Sequence, residues 1–268
     1  MGINEIDSME NRQSQIASFV RLKGYARLAE LAELTGVSEL TVRRDIKLLQ
    51  ERKILNAVHG GATSDEVGSS MISFKRQIAV RQIEKQAIGR EAASLIHDGE
   101  TVLIDGGTTT WYVCNALRGK HIRAITNSLP AADILGHDRG ITINVLGGTL
   151  YPETGLILGA QCNDQIRLMR PATLIMGVGG ITADGFTNSN IELVTSQRVM
   201  MEVSSRVVVV ADSSKFGKVD LARLSDLNEA DEVITDQGVS ESFRYALYRR
   251  GVDLVIAKPE RRNGMKKR

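Results

Sequence analysis

The sequence predicts an α/β protein in two parts. An N-terminal winged helix-turn-helix over residues 8–63 is joined by a linker, 64–82, to a C-terminal, mostly parallel α/β domain, 83–258, and a basic tail, 259–268, follows. Three observations predict this. Residues 10–61 read as short helices followed by a small hairpin. From Gln82 onward strands alternate with helices, as in a sheet built from crossover units. Between them, ATSDEVGSSMISFKRQIAV begins small and polar and then turns helical, as a connector does.

In the first part, Ile16, Phe19 and Val20 fall at helical spacing, with Gly24 placed to stop the helix. A second helix shows an apolar face of Leu28, Leu31 and Ala32. Thr35-Gly36-Val37-Ser38 breaks it, because glycine tolerates a positive φ, and Ser38 suits the N-cap of the next helix. There Val42, Ile46 and Leu49 recur at i, i+4 and i+7 and face the core. Leu40, Arg44 and Lys47 lie opposite, with Thr41 and Arg43 on the flanks. Two helices across a short glycine-containing turn form a helix-turn-helix. ILNAVHGGA then reads as a wing hairpin, in which His59 shapes the turn.

In the second part, seven strands are expected at 101–105, 122–126, 142–146, 174–178, 207–211, 232–235 and 252–256, with helices at 84–96, 111–117 and 240–249. Runs such as RVVVVAD suit a sheet covered on both faces. No period of 20 to 50 residues repeats, so a solenoid is excluded.

The totals narrow the function. Of 268 residues, 42% are hydrophobic and 25% charged, values typical of a folded globular protein rather than a disordered one. Cys114 and Cys162 stand far apart, in no metal-ligand spacing, so neither a disulfide framework nor a zinc site is expected, and a reducing, cytoplasmic setting is. The N-terminal residues contain acids and no apolar stretch, unlike a signal peptide. The strongest apolar run, Val207 to Ala211, is too short to cross a bilayer. A net charge of +2 says little about nucleic acid, so local placement decides. The tail beyond Lys258 is basic and reads as a solvated terminus, with nonspecific phosphate contact as the alternative.

Two constellations carry chemistry. A helix entering the major groove needs cationic and hydrogen-bonding side chains on its outer face. This one offers Ser38 at its start, then Thr41, Arg43, Arg44 and Lys47, with His59 and Gly60 in the wing. Asp45 could fix the direction of a neighbouring arginine. The second is TVLIDGGTTTWYVCNAL, a strand, a turn and a helix start. Gly106 and Gly107 allow close backbone approach, and Thr108, Thr109 and Thr110 place hydroxyls beside unpaired N–H groups, which makes an anion site. No Gly-Lys-Ser/Thr follows, so it is not a P-loop. Asn127 and Ser128, Gly147 and Gly148, and Lys215 also follow strands, where ligands of parallel sheets bind. IMGVGGITADG lacks the third glycine of a dinucleotide fingerprint, since Thr182 stands there.

The stretch from Arg12 to Ala62 resembles the DNA-binding domain of the DeoR/GlpR family of bacterial regulators. Arg12, Ile16, Ser38, Thr41, Val42, Arg43, Arg44, Asp45 and Ile46 match its signature, and His59-Gly60-Gly61-Ala62 its wing. IDGGTTT, TNS, LGG and DSSKFG follow in that family's order. The resemblance implies a C-terminal fold similar to ribose-5-phosphate isomerase and the CoA-transferases, and a phosphorylated sugar as ligand. It assigns Gly107, Thr108 and Thr109 to the phosphate, Asn127 and Ser128 to the sugar body, Lys215 to the charge, and Asp105 and Glu192 to sugar hydroxyls. It implies a double-stranded DNA operator, a homodimer or homotetramer, no membrane, no cofactor and no catalytic residue. Two departures stand out: Ala57 where the family often has arginine, and Gln197-Arg198 where it commonly has Lys-Arg. The competing expectation is a sugar-phosphate isomerase-like enzyme with an attached DNA-binding domain, using Asp105, Glu192 or Asp212 as general base.

Overall fold

The computed structural model describes residues 3–23, 25–52, 54–58, 60–63, 74 and 77–259, with residues 3–8 and 22 described in backbone only. The chain divides into two compact units, 1–76 and 77–268.

The first unit has three helices, α1 (Ile3–Lys23), α2 (Leu28–Thr35) and α3 (Glu39–Glu51). Three short strands accompany them, β1 (Tyr25–Arg27), β2 (Asn56–Val58) and β3 (Gly61–Thr63), in the antiparallel order β1-β3-β2. The apolar stripes expected from spacing meet in one core: Ile16 and Val20 from α1, Leu31 from α2, and Val42, Ile46 and Leu49 from α3. Gly36, at φ 68°, ends α2. Gly61 allows β3 to lie against β1, since a Cβ there would sit 2.2 Å from the Ala26 carbonyl oxygen. Strand β1 is too short for alternation to reveal and was not anticipated. Gly24 and His59 lie outside the described residues, as do most of the expected linker and nearly all of the basic tail.

The second unit is built on a seven-stranded parallel sheet. Its strands are β4 (Thr101–Ile104), β5 (Arg123–Thr126), β6 (Thr142–Val145), β9 (Thr173–Met176), β12 (Arg206–Val210), β14 (Glu232–Asp236) and β15 (Asp253–Ala257), in the order β15-β14-β12-β9-β4-β5-β6. All seven coincide with the expected strands to within a residue or two. Alternate residues point to opposite faces, and both faces of the five inner strands are buried, while the edge strands β6 and β15 are more exposed. Leu103, Ile125, Leu174, Met176 and Val209 enter one core. Val102, Ile104, Ala124, Ile175 and Val210 enter the other.

Helices α4 (Gln82–Ser94), α5 (Thr108–Leu117) and α6 (Leu129–Gly136) supply Ile88, Val113 and Leu135 to the second core. Helices α7 (Ala160–Arg167), α8 (Ile191–Val203) and α9 (Glu241–Arg249) supply Ile166, Val194 and Leu247 to the first. Two small additions were not expected from the sequence. One is the hairpin β7 (Thr149–Tyr151) and β8 (Leu156–Leu158). The other is an antiparallel sheet of β10 (Gly180–Thr182), β11 (Gly185–Asn188) and β13 (Ala222–Ser225).

The chain lays down β4, β5 and β6 in one direction. It then returns to the other side of β4 for β9, β12, β14 and β15. The order reverses between β4 and β9, and the crevice beyond the carboxyl ends of two such strands is where open parallel sheets hold ligands. Among the described residues, no helix is long and apolar enough to cross a membrane, and no cluster of His, Cys, Asp and Glu could hold a metal ion. Cys114 and Cys162 are both buried and unpaired with each other; burial raises their thiols to about 12 and about 11.

Candidate functional site

In the first unit, Ser38 caps α3. Its hydroxyl accepts from the Thr41 N–H at 3.3 Å and lies 3.0 Å from the Thr41 hydroxyl. The helix start is therefore closed by its own side chains. Arg43, Arg44 and Lys47 are exposed, and among the described residues none of them has an ion-pair or hydrogen-bond partner. Leu40 projects from the same surface. Gly60 forms the wing turn at φ 78°. Ala57 is exposed in β2, its N–H donating to the Gln50 side chain.

Asp45 does not orient Arg43 or Arg44. It is buried, and Arg12 of α1 grips it from 2.6 and 3.2 Å while the Gln13 amide donates from 3.1 Å. The carboxylate lies on the inner side of α3, one position before Ile46, so its work is to fasten α3 to α1. The Asp45 carboxylate in turn raises the pKa of the Arg12 guanidinium.

In the second unit, Asp105, Gly106 and Gly107 lead out of β4 at the reversal point. Gly107 takes φ 139° as the N-cap of α5 and supplies no side chain, so the first N–H groups of α5 are uncapped. The Thr110 hydroxyl is committed to the Gly107 carbonyl at 2.9 Å, and Thr109 is buried. Thr108 is half-buried. Gly106 lies directly under the β7–β8 hairpin, since a Cβ there would sit 2.1 Å from Leu156.

Ile104 pairs with Thr126 across β4 and β5. Asp105 and Asn127, one residue further along each chain, are therefore neighbours on one face of the sheet. Asn127 is fully buried, and both its Oδ1 and its Nδ2 lack partners. Its backbone carbonyl accepts from Ile157 of the hairpin at 2.8 Å. Ser128 caps α6, accepting from the Ala131 N–H at 3.3 Å. Its hydroxyl therefore does structural work beside the crevice.

Asp105 is also buried. Its Oδ2 accepts from the Gln197 amide at 2.7 Å, while its Oδ1 has no partner. Burial raises its pKa to about 6, although the Gln197 amide and the Gly106 N–H hold it down. Gln197 itself is fully engaged. The same amide nitrogen donates to the Gly177 carbonyl at 2.9 Å, and its oxygen accepts from Asn188 at 3.1 Å. It thus bridges the ends of β4 and β9. Sequence reading marked Gln197 only as a departure from a family pattern; nothing in its spacing from Asp105, 92 residues away, could have placed it here.

The remaining candidates lie around this centre. Both backbone groups of Gly147 are taken by the Gln165 side chain, at 3.1 and 3.2 Å, which leaves the glycine to shape the loop. Gly148 packs against the Leu158 carbonyl and Cys162. Glu192 is exposed in the first turn of α8. Lys215 is half-buried in a short turn of 3₁₀ helix, Ser213–Lys215, beyond β12.

A cluster that sequence reading missed adjoins that turn. Arg81 precedes α4 with φ 53°, rare for a residue with a side chain. Its guanidinium meets Asp212 at 3.0 Å, Asp236 at 3.1 Å and the Ser213 hydroxyl at 2.9 Å. Lys85, one helical turn later, is buried and donates to the Gln77 carbonyl at 2.7 Å, with its pKa lowered by burial to about 8.

Comparisons with known proteins agree on a family. The profile of the DeoR-like helix-turn-helix domain matches residues 12–67, and that of the DeoR C-terminal sensor domain matches residues 80–237. The chain is 33% identical over 218 residues to the HTH-type transcriptional repressor GlcR of Bacillus subtilis, covering 81% of this chain and 84% of the relative. It is 33% identical to the glycerol-3-phosphate regulon repressor of Haemophilus influenzae, covering 84% and 88%. It is 30% identical to a lactose phosphotransferase system repressor of Staphylococcus epidermidis, covering 84% and 91%. Among solved structures, ribose 5-phosphate isomerase A of Neisseria gonorrhoeae aligns at 19% identity over 53% of this chain and 54% of that one, with a TM-score of 0.37.

Proposed function

Because the chain belongs to the DeoR family of transcriptional regulators, we propose that it represses a carbohydrate-use operon and that a phosphorylated sugar or related metabolite, held at the carboxyl edge of its sheet, controls its grip on DNA. The observation that carries the effector half is Asn127. A buried amide with neither oxygen nor nitrogen satisfied costs free energy unless something arrives to pair with it. It stands beside an uncapped helix start, which favours a phosphate.

In this reading Arg43, Arg44 and Lys47 face the major groove, with Ser38 and Thr41 at the helix start and His59 and Gly60 in the wing against the backbone. Gly107, Thr108 and Thr109 hold the phosphate. Asp105 and Asn127 take the sugar body, and Gly106, Thr110, Ser128, Gly147 and Gly148 shape the crevice. Glu192 and Lys215 reach it from the rim. Operators read by helix-turn-helix proteins contain paired half-sites, so the working form is a homodimer or homotetramer in the cytoplasm. The metabolite releases DNA by binding the DNA-incompetent arrangement more tightly, since equal affinity for both arrangements would shift nothing.

Sensing without turnover is the reading for the second unit. Each oxygen of Asp212 and Asp236 that carries a contact is tied to Arg81 or to the 213–215 turn, and Asp105 contacts an amide rather than a second acid or base. Fluorescence anisotropy on promoter fragments at low salt, titrated with sugar phosphates, tests the whole. Binding that is reversed by a phosphorylated sugar is expected. Protein that ignores every fragment, or a sugar phosphate consumed during the titration, overturns the reading.

A further inference from the structure

The charge balance of the crevice points to a narrower class of effector. Asp105 is buried at the reversal point, and the groups that act on its carboxylate are the Gln197 amide and the Gly106 N–H, with no lysine or arginine among them. The Cys162 thiol, raised mainly by burial, is raised further by the Asp105 charge. Its polar contacts are the Gln197 amide and the adjacent Gly106 N–H, and Oδ1 is left over. Gln197 cannot turn to help further, because its nitrogen already serves Asp105 and Gly177 and its oxygen serves Asn188. The start of α5 thus presents uncapped helix N–H groups, which take a dianion. Asp105, two residues before that cap, presents a desolvated carboxylate, which gains most from a cation with N–H donors. On the adjacent strand end, the Asn127 side chain offers an amide NH2 and an amide oxygen, both unused.

We propose that the effector is zwitterionic, a phosphorylated amino sugar whose ammonium group meets Asp105 while its phosphate rests on the start of α5. Gln197 is the specificity-determining neighbour. Being neutral, it leaves the negative charge of Asp105 for the ligand to balance, whereas a lysine at that position would balance it internally and favour plain sugar phosphates. This proposal rests on the reading of the crevice as a sugar-phosphate site.

The test is a thermal-shift and calorimetric comparison of the full chain with the 6-phosphates of glucosamine, galactosamine and mannosamine, each against its 2-hydroxy counterpart, with inorganic phosphate alongside. The expected result is that at least one amine binds about tenfold tighter than its hydroxyl partner, and that Asp105→Asn erases this ratio while remaining folded. Gln197→Lys is expected to erase or invert it. Equal or weaker binding of every amine overturns the proposal and leaves sugar-phosphate sensing standing. Stabilisation by inorganic phosphate with no response to any sugar overturns the proposal and leaves only an anion site. Failure of all the sugars and of inorganic phosphate overturns the underlying reading as well.

Discussion

Helices α3 and α5 both begin at points suited to negative charge, and they solve the problem of their unpaired N–H groups in opposite ways. At α3 the chain supplies its own cap, Ser38, and positive charge is carried by exposed side chains, Arg43, Arg44 and Lys47. At α5 the cap is Gly107, which contributes nothing, and nearby Asp105 Oδ1 and both polar atoms of the Asn127 side chain are buried and unpartnered. The first arrangement is complete without a ligand. The second leaves buried polar atoms unpaired, which the proposed effector would pair. A surface that must slide along a duplex needs flexible charge in water, while a sensor needs a deficit that one solute can fill.

That contrast can be broken most forcefully from the inside of the first unit. Arg12→Ala would leave the buried Asp45 with only the Gln13 amide, and about 3 kcal/mol of stability should be lost from the DNA-reading unit. Chemical denaturation would show it as an early transition with the sensor unit's own transition unmoved; a single unshifted curve would return Asp45 to a surface role.

In the sensor the sign is reversed. Asp105 is held at about 6 against an ordinary 3.8, so the folded protein binds its proton more tightly than the unfolded chain does. Its contribution favours folding below about pH 4 and is lost as pH rises through about 6. The penalty at pH 8 is about 3 kcal/mol. Asp105→Asn should therefore raise the melting temperature at pH 8, with the gain fading to nothing near pH 4, and should weaken effector binding at the same time. A variant less stable at pH 8 would mean that Asp105 is not the strained group described here.

The next effect concerns reading rather than folding. Arg44→Ala should cost about 1–3 kcal/mol of specific operator binding with stability unchanged, and an unaltered anisotropy curve would remove α3 from the groove. Smallest of all, Ser38→Ala should cost about 1 kcal/mol of helix stability. No comparable loss is expected from Gly107→Ala by way of capping, because Gly107 has no cap to lose; any effect there comes from its φ of 139°.

The same contrast explains what could be read in advance. The seven strands of the parallel sheet were legible because each is a short run of β-forming residues ended by turn residues, and the five inner ones are buried on both faces while the edge strands β6 and β15 are not. Helix α3 was legible because its buried positions recur at helical spacing. The β7–β8 hairpin and the β10–β11–β13 sheet were not, since strands of three or four residues are too short to carry a period. Asp105 and Asn127 were readable as strand-end residues, but the burial that makes them demanding was not. Asp45 was assigned to the wrong neighbour because a position on a helix does not reveal which other helix it faces.

Arg81 has a consequence of its own. Its backbone sits in a conformation that residues with side chains avoid, and what keeps it there is a grip on oxygens from the ends of two strands and the turn between. A left-handed torsion at a residue with a side chain costs about 1–2 kcal/mol, so these contacts hold the start of α4 to the sheet's rim against a local penalty, and Arg81→Gly would remove the penalty and the contacts together.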